Sequence, residues 1–146
     1  MGTVGSGSFN ILRNNAEEIT RRVGRSIEIE QVGARRDNAA ADTSGVNITR
    51  DIFDVANNPE IDIVIELIGG TTIAKDLVLT AIENGKHVVT ANKALIAEYG
   101  NEIFEKAQAK GVMVAFEAAV AGGMPIIKTV REGLSANRID WLAGII

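Results

Sequence analysis

The chain predicts an α/β domain with a doubly wound, mainly parallel sheet and helices on both faces. Three observations support this. β-Branched runs near residues 27–32, 61–68, 87–90 and 112–116 alternate with segments of helical periodicity. Helix-stopping residues follow those segments at Gly24, Asn57–Asn58, Gly85 and Gly111. No internal repeat or linker interrupts the alternation. Strands that alternate with helices pair in parallel through right-handed crossovers.

Taken in order, Val4, Phe9, Ile11, Leu12, Ile19 and Val23 predict a helix from about residue 3 to Gly24. Ile27, Ile29 and Gln31 alternate with Glu28, Glu30 and Val32 as a short strand before Gly33-Ala34-Arg35-Arg36-Asp37. Residues 38–47, rich in Asn, Ala, Asp, Ser and Gly, predict a loop. Asp51 to Ala56 form a short helix that ends at Asn57-Asn58-Pro59. The apolar run Ile61–Ile68, closed by Gly69-Gly70, predicts a strand buried on both faces. Thr72 is placed to cap a helix running to Asn84, with Ile73, Leu77, Val78, Ala81 and Ile82 on its inner face. A strand at 87–90, a helix at 93–110 and a strand at 112–116 follow. Pro125 starts a helix to about Leu134, and Ile139–Ile146 reads as a final strand.

A length of 146 residues suits one domain. A net charge of −4 without a basic stripe argues against a nucleic-acid partner. With no cysteine, thiolate chemistry and Cys-ligated metal sites are excluded, and a single histidine, His87, in a strand pattern argues against a His-ligated one. No apolar run approaches membrane-spanning length, and the N-terminus lacks a secretory pattern, so the expected location is cytoplasmic.

Candidate functional residues collect at strand ends, where ligands bind in open α/β sheets. Gly2, Thr3, Val4 and Gly5 lie at a helix start. Glycines there let backbone N–H groups approach a pyrophosphate, or else form a flexible tail. Arg35 and Arg36 stand where such folds contact the adenosine ribose. Arginine there suits a 2′-phosphate, Asp37 keeps NAD open, and a solvated turn is the plain alternative. Gly70 and Thr71 follow the most apolar strand, in a turn that either admits a flat ligand or is simply tight. Thr90, Asn92 and Lys93 form the polar turn after the next strand. Lys93 is either a solvated first-turn lysine or a group that meets substrate and cofactor. Glu117, set among small residues that include Val120, Gly122 and Met124, suits either oxygen ligation of a hard cation or close packing.

Together, Glu66-Leu-Ile-Gly-Gly-Thr-Thr72, Gly85-Lys-His-Val-Val-Thr-Ala-Asn-Lys-Ala-Leu95, Phe116-Glu-Ala-Ala-Val-Ala-Gly-Gly123 and Arg131-Glu-Gly-Leu-Ser-Ala-Asn-Arg-Ile139 resemble homoserine dehydrogenases of the monofunctional bacterial type. The resemblance covers essentially the whole chain. It implies a Rossmann-like NAD(P)-binding domain spanning residues 1–146. It also implies NAD(P)-dependent interconversion of aspartate 4-semialdehyde and L-homoserine, on the route to threonine and methionine.

By resemblance, Gly2, Thr3, Val4 and Gly5 match the second half of the pyrophosphate loop, and Arg35 and Arg36 match the region selecting NADP. Gly70, Thr71, Thr90 and Asn92 flank the nicotinamide, and Lys93 takes a catalytic part. Glu117, Val120, Gly122 and Met124 match a monovalent-cation site, usually sodium, made mostly of backbone oxygens. The comparison further implies a truncation at both ends. The first, central strand is expected to be missing, as is the substrate and dimerisation domain through which the full-length enzyme forms a homodimer. The chain alone is therefore expected to be inactive. A non-catalytic NADP-binding module and another semialdehyde or small-acid dehydrogenase remain alternatives. The Thr-Ala-Asn-Lys and Ala-Val-Ala-Gly-Gly blocks weigh against the second, because a generic dinucleotide fold does not require them.

Overall fold

The apolar positions of residues 72–83 dictate the packing of the larger half of the molecule. Ala74, Leu77, Val78, Ala81 and Ile82 recur on one helical face and all are buried. In a computed structural model that describes residues 1–144, the elements run α1 (Thr3–Asn14), α2 (Ala16–Val23), β1 (Gln31–Gly33), β2 (Asn47–Thr49), α3 (Ile52–Asn57) and β3 (Ile63–Glu66). They continue with α4 (Thr72–Glu83), β4 (His87–Thr90), α5 (Lys93–Lys110), β5 (Val114–Ala115) and α6 (Ile126–Lys128). Asp51 caps α3 by accepting from the Phe53 N–H, and Gly24 and Gly111 end α2 and α5 in the left-handed conformation.

All strand pairing is parallel, as the alternation predicts. The order is β3-β4-β5, with Ile63 opposite His87 and Val88 opposite Val114, and separately β1-β2. The sheet divides between β1 and β3, where the expected strand order places the first strand. One core joins α3, β3, α4, β4, α5 and β5 through Ala56, Val64, Val78, Ile82, Val88, Leu95, Ile103 and Val114. At the end of the sheet away from the candidate site, the Lys86 ammonium is buried. It donates to the carbonyls of Asn58 (2.5 Å) and Ile61 (2.7 Å).

Several expectations are corrected. The first helix breaks at Asn15 into α1 and α2. The strand foreseen over 27–32 is only Gln31–Gly33, and it pairs with a strand at 47–49 that begins inside the predicted loop. Gly33 packs closely there: an added Cβ would lie 3.3 Å from the Ile52 backbone, so α3 would have to shift by a few tenths of an ångström to admit it. β3 is buried on one face only: Ile63 is 48% and Ile65 44% exposed. α4 and the core cover the Val64 side and leave the other side open. Ile73 is exposed for a similar reason, lying off the buried stripe of α4. The cap position of α4 is Thr71 rather than Thr72, and its side chain makes no capping bond. The helix after Pro125 is a single α turn followed by a π turn at Thr129–Gly133. Residues 139–144 form no strand, with Trp141 and Leu142 exposed and no partner strand among the described residues. Residues 145 and 146 of that expected strand lie outside the described part.

Candidate functional site

The C-terminal ends of β3 and β4 carry two turns tied together by one buried network. β3 ends at Glu66, which is 1% exposed although its side chain is ionisable. Its Oε1 accepts from the N–H groups of Ile68 (2.8 Å) and Gly69 (3.2 Å), which bends the chain immediately after the strand. Its Oε2 accepts from the Thr90 hydroxyl at 2.6 Å, across to the end of β4. Thr90 Oγ1 in turn accepts from the Asn92 N–H at 3.0 Å. The Asn92 amide donates to the Gly70 carbonyl at 2.7 Å and caps α5 by accepting from the Leu95 N–H at 3.1 Å. The path therefore runs from the first turn to the second and back again.

Lys93 projects from this frame as the first residue of α5. It is exposed and forms no ion pair among the described residues. A helix dipole disfavours a cation at an N-terminus, so helix stability gives no reason for a lysine at this position. Gly69 and Gly70 have φ of 74° and 73°, a conformation that favours glycine, and a Cβ at either would meet nothing within 4 Å. The backbone beside Lys93 thus has an open face where a flat group could approach. Thr71 is half-buried at the start of α4. Thr90 and Asn92 are buried, with their side chains engaged inside the network.

The remaining candidates lie elsewhere. Gly2 is the N-cap of α1 and makes no side-chain capping bond, so the N–H groups of Thr3, Val4 and Gly5 open the helix without intrahelical acceptors. That end is fastened to the ribose-side candidates. The Met1 ammonium donates to the Arg36 carbonyl (2.6 Å), and Asn38 donates to the Ser6 hydroxyl (2.8 Å). Arg35 and Arg36 are exposed. Asp37 is paired with Arg50 at 2.7 Å, and Arg50 also donates to the Ala34 carbonyl.

The Glu117 carboxylate accepts from the N–H groups of Ile127 (3.0 Å) and Lys128 (2.8 Å), so it fastens the start of α6. Among the described residues the carbonyls of Val120 and Gly122 accept no hydrogen bond, while that of Met124 accepts from Ile126. Ala121 and Gly122 have φ of 54° and 60°. No cluster of three His, Cys, Asp or Glu side chains suited to a metal occurs among the described residues.

Reasoning from sequence assigned Glu66 no role. The signal available was a carboxylate late in a largely apolar run, three positions before a glycine pair.

Known proteins resemble the chain in family and fold. The family profile described as homoserine dehydrogenase, NAD binding domain, matches residues 1–117. A homoserine dehydrogenase of Pseudomonas aeruginosa is 72% identical over 146 residues, covering 100% of this chain and 34% of the relative. One of Neisseria gonorrhoeae is 55% identical, again over 100% of this chain and 34% of the relative. The chain thus spans about a third of the length of the curated relatives it matches. The crystal structure of a homoserine dehydrogenase from Thiobacillus denitrificans superposes with a TM-score of 0.87 at 63% identity, over 94% of this chain and 32% of that one. That of Staphylococcus aureus gives 0.77 at 35% identity, over 84% and 31%.

Proposed function

The chain belongs to the homoserine dehydrogenase family and matches its NAD-binding domain, and we propose that it forms the cofactor side of an enzyme that interconverts aspartate 4-semialdehyde and L-homoserine. The observation that carries this reading is the pair of locked turns that presents Lys93 beside the open Gly69–Gly70 backbone. Bound NAD(P) supplies a hydride donor or acceptor. Gly70 and Thr71 would hold the nicotinamide end of the cofactor, and the buried bonds of Thr90 and Asn92 keep that turn in shape. Lys93 then offers a cationic donor to the substrate oxygen as negative charge develops there.

The free N–H groups of Thr3, Val4 and Gly5, with Gly2 before them, fit a pyrophosphate. The exposed guanidinium groups of Arg35 and Arg36 fit a 2′-phosphate. Asp37 pairs with Arg50 through Oδ1 alone and stays exposed, so it remains open to the ribose hydroxyls of NAD, and the support for NADP rests on the two arginines.

A monovalent cation such as sodium fits the carbonyl oxygens of Glu117, Val120, Gly122 and Met124. Two of these carbonyls are unengaged, and a carbonyl that already accepts one hydrogen bond keeps a second lone pair. The Glu117 carboxylate would serve this site by holding its backbone in place. The full-length protein acts as a cytoplasmic homodimer in this reading. No described helix is long and apolar enough to cross a membrane.

The test follows NADPH absorbance on addition of aspartate 4-semialdehyde to the full-length protein. Substrate-dependent oxidation of NADPH is expected, with NADH used less well. A full-length protein that binds NADPH but shows no turnover with this substrate would overturn the substrate assignment.

A further inference from the structure

We propose that Glu66 is a positioning residue for the reaction: its buried carboxylate sets the Thr90–Lys93 turn against the Gly69–Gly70 turn and so fixes where Lys93 starts. The inference rests on the proposed dehydrogenase function.

Glu66 is 1% exposed and forms no ion pair among the described residues, so its burial is not offset by a neighbouring cation. Three donors converge on it: the Ile68 and Gly69 N–H groups and the Thr90 hydroxyl. An ionised carboxylate can accept all three at once. Glutamine offers one acceptor oxygen and a donating amide. With that oxygen on the two N–H groups, its amide would face a Thr90 hydroxyl that then has no acceptor. A buried acid among apolar strand residues is an expensive way to stabilise a sheet. It is suited to holding two turns in one fixed register.

The Lys93 backbone lies inside this arrangement. Asn92, directly before it, is held on three sides. Its N–H bonds to Thr90 Oγ1, its amide nitrogen to the Gly70 carbonyl, and its amide oxygen accepts from Leu95. Glu66 therefore acts on Lys93 through Thr90 and Asn92 without touching a ligand. Loss of the carboxylate frees Thr90 Oγ1 to rotate, and the helix start can shift by fractions of an ångström. Reaction rates are sensitive to displacements on that scale.

The experiment uses the full-length protein and the variants Glu66→Gln, Thr90→Val, Thr90→Ser and the double variant Glu66→Gln/Thr90→Val. Steady-state kcat and KM for both substrates are measured alongside Tm. The expected result is a fall in kcat of about tenfold or more for E66Q and T90V, with KM for NADPH changed less than threefold. T90S should recover most of the kcat that T90V loses. The double variant should lose less than the product of the two single losses, because both break one path. A purely structural role would instead lower Tm and leave kcat per folded site unchanged. A kcat for T90V within twofold of wild type, or losses that multiply in the double variant, would overturn the inference. If E66Q does not fold, the T90V and T90S pair decides alone. A wild-type protein without turnover would refute the proposed dehydrogenase function, whereas an active wild type with an equally active T90V refutes only the role of Glu66.

Discussion

Between Ile52 and Ala115 the backbone is held by side chains buried from several helices and strands, whereas between Met1 and Thr49 it is held largely by hydrogen bonds that water can reach. The first region has Ile82, Leu95 and Ile103 fully buried, and its polar ties, such as Thr90 to Glu66 and Lys86 to Ile61, are buried as well. The second has Phe9, Ala34 and Ala41 at its centre. Its loop is fastened to α1 by Asn10 on the Ala40 carbonyl and Arg13 on the carbonyls of Asp42 and Ser44. In the proposed function, the lysine that needs exact placement stands on the packed half. The N–H and guanidinium groups proposed to meet phosphates stand on the more loosely supported one.

This contrast can be broken at its strong end first. Lys93→Ala in the full-length protein should cut kcat by roughly 10²–10³-fold with Tm unchanged, because the side chain is exposed and unpaired. Near wild-type kinetics would remove the chemistry from the packed half. Ile103→Ala should cost about 2–5 kcal/mol of stability, as expected for a fully buried isoleucine, measured by denaturant unfolding. Arg35→Ala and Arg36→Ala test the weak end. Each should weaken NADPH binding several-fold in calorimetric titration while leaving NADH affinity and kcat nearly unchanged. A matching loss with NADH would show that the arginines do not read the 2′-phosphate.

Hydrogen exchange sharpens the comparison without substitutions: amides of α1 and β1 should exchange well before those of β4 and α4. Equal protection would mean that the two halves open together.

The smallest effect is one of pH. The Ser44 hydroxyl and N–H, with Arg13 nearby, hold the Asp42 carboxyl below its ordinary value of 3.8. A carboxylate depressed on folding contributes stability above its unfolded value and loses it as pH falls through the folded one. Protection of residues 40–46 should therefore hold at pH 5 and decline below about 3.8. Asp42 is fully exposed, so the decline should be slight.

Much of the packed half was legible because its signals are local. The stripe at Leu77, Val78, Ala81 and Ile82 and the stop at Gly111 each mark an element within a few residues. What escaped depends on partners far along the chain. Asn47–Thr49 is too short to stand out as a strand by itself, and it pairs because Gln31–Gly33 lies beside it. Ile63 and Ile65 read as buried because the apolar run carries no mark of which face a helix will cover. Glu66 drew no attention because its partner Thr90 lies across the sheet, on the next strand. The turn residues Gly70, Asn92 and Lys93 were legible as a group, but the bonds that join them were not.

The parallel pairings carry a further consequence, for how the chain acquires its structure. Each strand pairs only with the one before or after it in sequence, and closures such as Ile63 with His87 or Val88 with Val114 span roughly two dozen residues. Closures of this length cost less chain entropy than pairings between distant parts of the chain. During synthesis, the pairing of β3 with β4 needs no later strand, while their shared core is completed when α5 and β5 follow. The Glu66–Thr90 bond would thus form as soon as the second strand arrives. The turn that bears Lys93 is complete only once the start of α5 has emerged and the Leu95 N–H meets its Asn92 cap.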